Sequence, residues 1–256
     1  MSEERPVRLH CFAHAGAGVS AYFGWPNHLG PGVEQSAHLL PGREGRRREP
    51  RLTDRQGLLD DLLHKVATGP GGPHEPYVLY GHSLGALVAY TLTRALHEAG
   101  LPGPALLALG ASPPPDRSSS LSDACRESDE LLMSLLDEAD ALPEGAAVGG
   151  FWHRAVMPVL RDDLILADEL RKAAREPLQG PPLDVPVLLV AGRDDPLAQL
   201  EAMAGWRSWT TGPVVARTVP GDHFFVRGRE LPRLIGRACR VVGRLAADRA
   251  PAAARG

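Results

Sequence analysis

The sequence predicts an α/β fold, a mostly parallel sheet with helices on both faces. Three observations carry that prediction. Short β-prone runs recur along the chain, helical stretches separate most of them, and parallel neighbours need crossovers long enough to hold a helix. With 256 residues and 43% hydrophobic content the chain can bury a substantial core. It is read as a single domain over residues 1–256.

Taken in order, Val7–Phe12 (VRLHCF) is a β-prone run that ends in the Gly-rich turn from Ala13 to Gly18. Residues 20–29 suggest a short helix stopped by Gly30, Pro31 and Gly32, and 34–40 a second strand ended by Pro41 and Gly42. Thr53 or Asp54 is a suitable N-cap for a helix whose apolar stripe is Leu58, Leu59, Leu62, Leu63 and Val66. Tyr77 to Tyr80 is a strand, Gly81–His82–Ser83–Leu84–Gly85 a sharp turn, and 86–99 an apolar helix. Residues 105–110, 185–191 and 214–219 are further strands, and 230–245 a closing amphipathic helix.

The alternation breaks at 112–182, where Pro/Ser-rich flanks enclose helical pieces near 128–137 and 162–175. That stretch reads as a helical insertion between two core strands. The tail, 246–256, is polar and Ala-rich and is expected to fray.

Composition excludes several classes of function. The 28 basic and 31 acidic residues leave a net charge of −3, so no large positive field exists to hold a nucleic acid. No apolar run approaches the roughly 18 residues of a membrane span, and residues 1–8 are charged with no apolar leader segment, so a soluble, unexported protein is expected. Cys11, Cys125 and Cys239 are scattered, at neither disulfide nor metal-ligand spacing, which fits buried thiols in a reducing cytoplasm.

The chemistry starts at Ser83. Gly-x-Ser-x-Gly is a weak signal alone, since a Gly-rich βα turn can carry no chemistry, but between a β-run and a helix it gains the context of a strained turn that exposes a nucleophile. A serine hydroxyl needs a base, and the base an orienting acid, expected in the chain order Ser, Asp, His. Asp194 and Asp195 follow the strand at 185–191, at a strand's carboxyl end. Asp195 is the preferred acid and Asp194 its rival, against the plain reading of an Asx turn. His223 follows the last strand and is the candidate base; the other histidines, His14 and His82 included, read as surface or packing residues. The oxyanion needs backbone donors, and Leu84 N–H, next to the nucleophile, is one. The other is expected from the turn after the first strand, at Ala15. That turn lacks both dinucleotide and P-loop fingerprints, so no cofactor or metal is expected.

Together these segments define an α/β-hydrolase pattern, and a more specific likeness is visible beyond it. The chain resembles the stand-alone type II thioesterases that accompany modular polyketide and non-ribosomal peptide synthases. The matching stretches run from Leu9 to Gly16, from Leu40 to Glu44 with Arg47, Glu49 and Pro50, from Tyr80 to Ala86, from Gly205 to Thr210, and from Pro220 to Phe225. The resemblance implies a triad of Ser83, Asp195 and His223, oxyanion donors at Ala15 and Leu84, and a substrate acyl group held as a thioester on a carrier protein's phosphopantetheine arm. It also implies that 112–182 is a mobile lid.

Two residues depart from the family's pattern. Ala17 stands where glycine usually repeats. Asp222 stands where glycine commonly precedes the histidine, a place an Asp fills by tolerating left-handed backbone.

Exposed arginines, Arg43 and Arg46 to Arg48, are candidates for steering an acidic carrier, with a plain solvated loop the equal alternative. A monomer is expected. The rival functions are a small-molecule carboxylesterase or lipase-like hydrolase with the same triad, and a non-catalytic carrier-binding scaffold.

Overall fold

The computed structural model describes residues 6–68, 75–117, 120–138, 142 and 145–249. Six strands form one sheet: β1 (Val7–Phe12), β2 (Val33–His38), β3 (Tyr77–His82), β4 (Leu106–Gly110), β5 (Val187–Gly192) and β6 (Val214–Val219). Their order is β2-β1-β3-β4-β5-β6, and every neighbouring pair is parallel. The helices are α1 (Pro26–Leu29), α2 (Arg55–Ala67), α3 (Leu84–Glu98), α4 (Ser120–Asp123), α5 (Asp129–Glu138), α6 (Phe151–Ala174), α7 (Leu200–Met203) and α8 (Glu230–Arg249). The fold is the mostly parallel α/β type that the sequence predicts.

Burial follows strand position. Central strands β1, β3 and β5 are buried at every residue, as expected for a sheet covered on both faces, whereas edge strand β2 alternates in exposure. Helix α3 is buried from Leu84 to Leu96 and lies against β3 and β4. Asp54 is the N-cap of α2, its carboxylate accepting the Gly57 N–H at 2.9 Å.

Three elements differ from the sequence expectation. The helix expected near 162–175 begins at Phe151, with Pro158 in its interior. Proline removes one intrahelical hydrogen bond and normally marks a break, but here packing along the rest of the helix carries it through. The segment 20–29 is split between a 3₁₀ turn at Val19–Tyr22 and α1. The tail expected from 246 is helical as far as Arg249, because the stripe of Leu231, Ile235, Cys239 and Val242 carries α8 onto the sheet; residues 250–256 lie outside the described residues.

Helices α4, α5 and α6 occupy the expected insertion and have an apolar cluster of their own: Cys125, Leu132, Met133, Leu136, Met157, Leu160 and Leu164. The main core lies between the sheet and its flanking helices. Cys11, Cys125 and Cys239 are all free and buried. Among the described residues no helix is long and apolar enough to cross a membrane.

Candidate active site

Because all six strands run the same way, the loops following β1, β3, β5 and β6 leave from one edge of the sheet, outside the strands' carboxyl ends. Ser83 is the first residue after β3, Asp195 is in the loop after β5, His223 in the loop after β6, and Ala15 in the turn after β1.

Ser83 has φ 55° and ψ −115°, a backbone conformation that side chains disfavour. The turn is held by its own hydrogen bonds: Ser83 N–H donates to Gly110 O (2.8 Å) and Ala86 N–H to Ser83 O (2.9 Å). Both flanking glycines are required by packing. A Cβ on Gly81 would lie 1.9 Å from Gly85 O, and one on Gly85 1.9 Å from Phe12 O. Leu84 is the first residue of α3, so its N–H is among the helix-terminal donors that have no intrahelical acceptor.

The structure brings Ser83, His223 and Asp195 together. Ser83 Oγ is 3.1 Å from His223 Nε2, and His223 Nδ1 is 3.0 and 3.1 Å from the two Asp195 oxygens. The carboxylate accepts, so the proton sits on Nδ1 and Nε2 is free to accept from the serine hydroxyl. Asp195 is buried, and its Oδ1 also accepts the N–H groups of Leu197 (2.9 Å) and Ala198 (3.2 Å). Asp194 is exposed.

Asp222 does not use left-handed backbone; Gly221 does, with φ 117°, and the Asp222 carboxylate accepts Phe224 N–H at 2.7 Å. The departure is thus absorbed by an Asx-type turn that shapes the histidine loop.

His82, inside the elbow, is fully buried and links strand to loop. Its Nε2 lies 2.7 Å from His223 O, and its Nδ1 2.8 Å from Tyr80 Oη. A carbonyl only accepts, so Nε2 carries the proton and Nδ1 accepts from Tyr80. Burial holds the His82 imidazole well below its ordinary pKa, hence neutral. The same cause, with His223 and Arg227 adding to it, lowers His14 to about 3.

Ser83 stands between two cavities. The larger, about 750 Å³, is lined by the turn from His14 to Gly18, by Trp152, Val156 and Leu160 of α6, and by Phe224 and Arg227. The smaller, about 200 Å³, is walled by Leu84, Leu87, Pro113, Leu164, Ala167 and Arg171. Ala15 and Leu164 line both. Among the described residues no group of three His, Cys, Asp or Glu side chains is placed to hold a metal ion.

The arginines read as exposed divide in two. Arg43 is buried in an ion pair with Asp163, 120 residues away, and Arg46 is held by its near neighbour Glu49 and by Asp61 of α2, so neither guanidinium is free. Arg47 and Arg48 are exposed. Sequence reasoning also missed Arg227, whose guanidinium lies 4.7 Å from the Phe224 ring centre at the larger cavity. No motif signals it.

Comparison with known proteins gives a family match, the thioesterase domain, over residues 7–239. Thioesterase PikA5 of Streptomyces venezuelae is 33% identical over 226 residues, covering 86% of this chain and 75% of that protein. Gramicidin S biosynthesis protein GrsT of Aneurinibacillus migulanus is 26% identical over 220 residues, 86% of this chain and 83% of its own. Among solved structures, the RedJ thioesterase from the prodiginine biosynthetic pathway of Streptomyces coelicolor superposes with a TM-score of 0.77 at 32% identity, covering 91% of this chain and 85% of RedJ. With a match that reaches from the first strand into the last helix, the chain belongs to the thioesterase domain family, whose members hydrolyse thioesters.

Proposed function

We propose that this chain is a stand-alone type II thioesterase that clears acyl groups from the phosphopantetheine arms of carrier proteins in polyketide or non-ribosomal peptide synthesis. The observation that carries the reading is the unbroken line from Ser83 Oγ through His223 to Asp195, at 3.1 and 3.0 Å. It opens onto a cavity of about 750 Å³. Similarity to proteins named for gramicidin S biosynthesis and for the prodiginine biosynthetic pathway supports the choice of substrate.

In this mechanism Ser83 Oγ attacks the thioester carbonyl while its proton passes to His223 Nε2. Asp195 keeps the imidazole in the required tautomer and stabilises the imidazolium. The N–H groups of Ala15 and Leu84 receive the oxyanion. The C–S bond breaks, the pantetheine sulfur takes the proton from His223, and the acyl group remains on Ser83. A water, activated by the same histidine, then releases the free acid. No metal or organic cofactor enters the scheme.

Helices α4 to α6 act as a lid over the acyl group, and Arg47 and Arg48 attract the acidic carrier. The enzyme works as a cytoplasmic monomer. The test is mass spectrometry of carrier proteins loaded with a panel of acyl groups. Wild type is expected to strip them and Ser83→Ala to leave them loaded. Equal stripping by Ser83→Ala would overturn the mechanism, and faster turnover of simple oxygen esters than of acyl-carrier would favour a general esterase.

A further inference from the structure

The oxyanion turn is tied to the insertion by a buried charge pair. Asp163 on α6 and Arg43, in the loop after β2, form two hydrogen bonds, Arg43 Nη1 to Oδ2 at 2.7 Å and Nη2 to Oδ1 at 2.6 Å. Their side chains are 1% and 7% exposed. Both also grip the turn that contains Ala15. Asp163 Oδ2 accepts the Gly16 N–H at 2.7 Å, and Arg43 Nη1 donates to Ala17 O at 3.0 Å.

The turn has one soft point. Ala17 N–H donates to His14 O (3.1 Å), and Gly16 sits at the third position with φ 78°, which is a type II turn. Rotating the Ala15–Gly16 peptide would convert it to type I and turn Ala15 O toward the side now occupied by Gly16 N–H; the Ala15 N–H belongs to the preceding peptide, so the pair acts on that donor by anchoring the residues that follow it, Gly16 and Ala17. The bond from Gly16 N–H to Asp163 fixes the peptide in one orientation. Helix α6 also packs on it: a Cβ on Gly16 would lie 3.5 Å from Val156 and 3.7 Å from Leu160.

We propose that the Arg43–Asp163 pair is a positioning device that holds the Ala15–Gly16 turn in its catalytic orientation and makes the oxyanion site depend on the seating of α6. The proposal rests on the reading of Ala15 as an oxyanion donor. Its physical basis is that a buried ion pair contributes little net stability but fixes geometry, since the cost of desolvating two charges offsets most of their attraction. Burial indeed raises the Asp163 carboxyl above its ordinary range, against the pull of Arg43.

The test replaces the pair with apolar residues, Arg43→Met with Asp163→Leu, which leaves no unpaired buried charge. Activity is followed with an acyl-N-acetylcysteamine thioester. An alkylboronic acid, whose tetrahedral adduct on serine places an oxygen in the hole, reports on oxyanion binding. The matching thioether, which has no carbonyl, reports on ground-state binding.

We expect a cooperatively folded variant in which kcat and boronate affinity both fall by roughly 10²-fold, the scale of a misplaced catalytic group, while KM and thioether affinity stay within about threefold. A folded variant with wild-type kcat and boronate affinity overturns the proposal. So does a variant that cannot fold, because the pair would then be structural, and so does an equal loss of thioether affinity. Ser83→Ala run alongside separates the two readings: residual turnover there sinks the nucleophile assignment, whereas an inert Ser83→Ala beside a fully active pair variant sinks only the clamp.

Discussion

Replacing Ser83 by glycine and by alanine isolates the strain stored at the elbow. Both variants lose the hydroxyl and its 3.1 Å contact with His223. They differ only in whether a Cβ remains at φ 55° and ψ −115°. Holding an L-residue in such a region costs about 1–3 kcal/mol, which glycine avoids. Against that, glycine gives the unfolded chain extra freedom worth about 0.4–1 kcal/mol. Ser83→Gly is therefore expected to be more stable than Ser83→Ala by about 1 kcal/mol, although both lack turnover. Equilibrium urea unfolding followed by tryptophan fluorescence measures the difference, since Trp25 and Trp206 are buried in the core. In thermal melts the same difference is about 2–4 °C for a domain of this size. A glycine variant no more stable than the alanine variant would refute the strain argument, and with it the view that the fold spends stability to present this serine.

Other substitutions test the surrounding geometry. Asp195→Asn should cut kcat by about 10⁴-fold through the wrong histidine tautomer, with the fold retained, while Asp194→Asn at its exposed position should stay within about twofold of wild type; steady-state kinetics on both would expose a wrong choice of carboxylate. Gly85→Ala places a methyl 1.9 Å from the Phe12 carbonyl oxygen and should cost about 1–3 kcal/mol, the scale of overpacking, seen as a lower urea midpoint and a poorly formed elbow. His82→Ala leaves Tyr80 Oη and His223 O buried without their partner, at about 1–3 kcal/mol each, and a midpoint equal to wild type would contradict the network.

Acid should destabilise the fold over a defined window. Burial lowers His10 and His14 to about 3 and His38 to about 4, against 6.5 in the unfolded chain. Below pH 6.5 the unfolded chain therefore binds protons that the native imidazoles do not, so stability present above that pH is lost progressively down to about pH 4 and below. Urea midpoints that stay flat from pH 7 to 4.5 would rule this out.

The local sequence determined the sheet and the elbow, because both depend on short-range rules. Val7–Phe12 and Val214–Val219 are strands because β-prone runs end at turn-forming residues, and Gly81 and Gly85 flank Ser83 because strand and helix backbones meet there with no room for a Cβ. Chain order and parallel topology then place residues 83, 195 and 223 at one edge without any knowledge of side-chain contacts. Tertiary structure alone decided the rest. Which of two adjacent carboxylates reaches His223 depends on the loop after β5, which buries Asp195 and exposes Asp194. The run of α6 through Pro158 depends on the packing of Met157, Leu160 and Leu164 in the insertion's own cluster. The pairing of Arg43 with Asp163 depends on a helix folding back across 120 residues of chain to present a charge where the Gly16 N–H, in the turn after β1, needs an acceptor. Periodicity and turn chemistry act over a few residues, whereas such pairings are chosen by desolvation, which only the packed interior imposes.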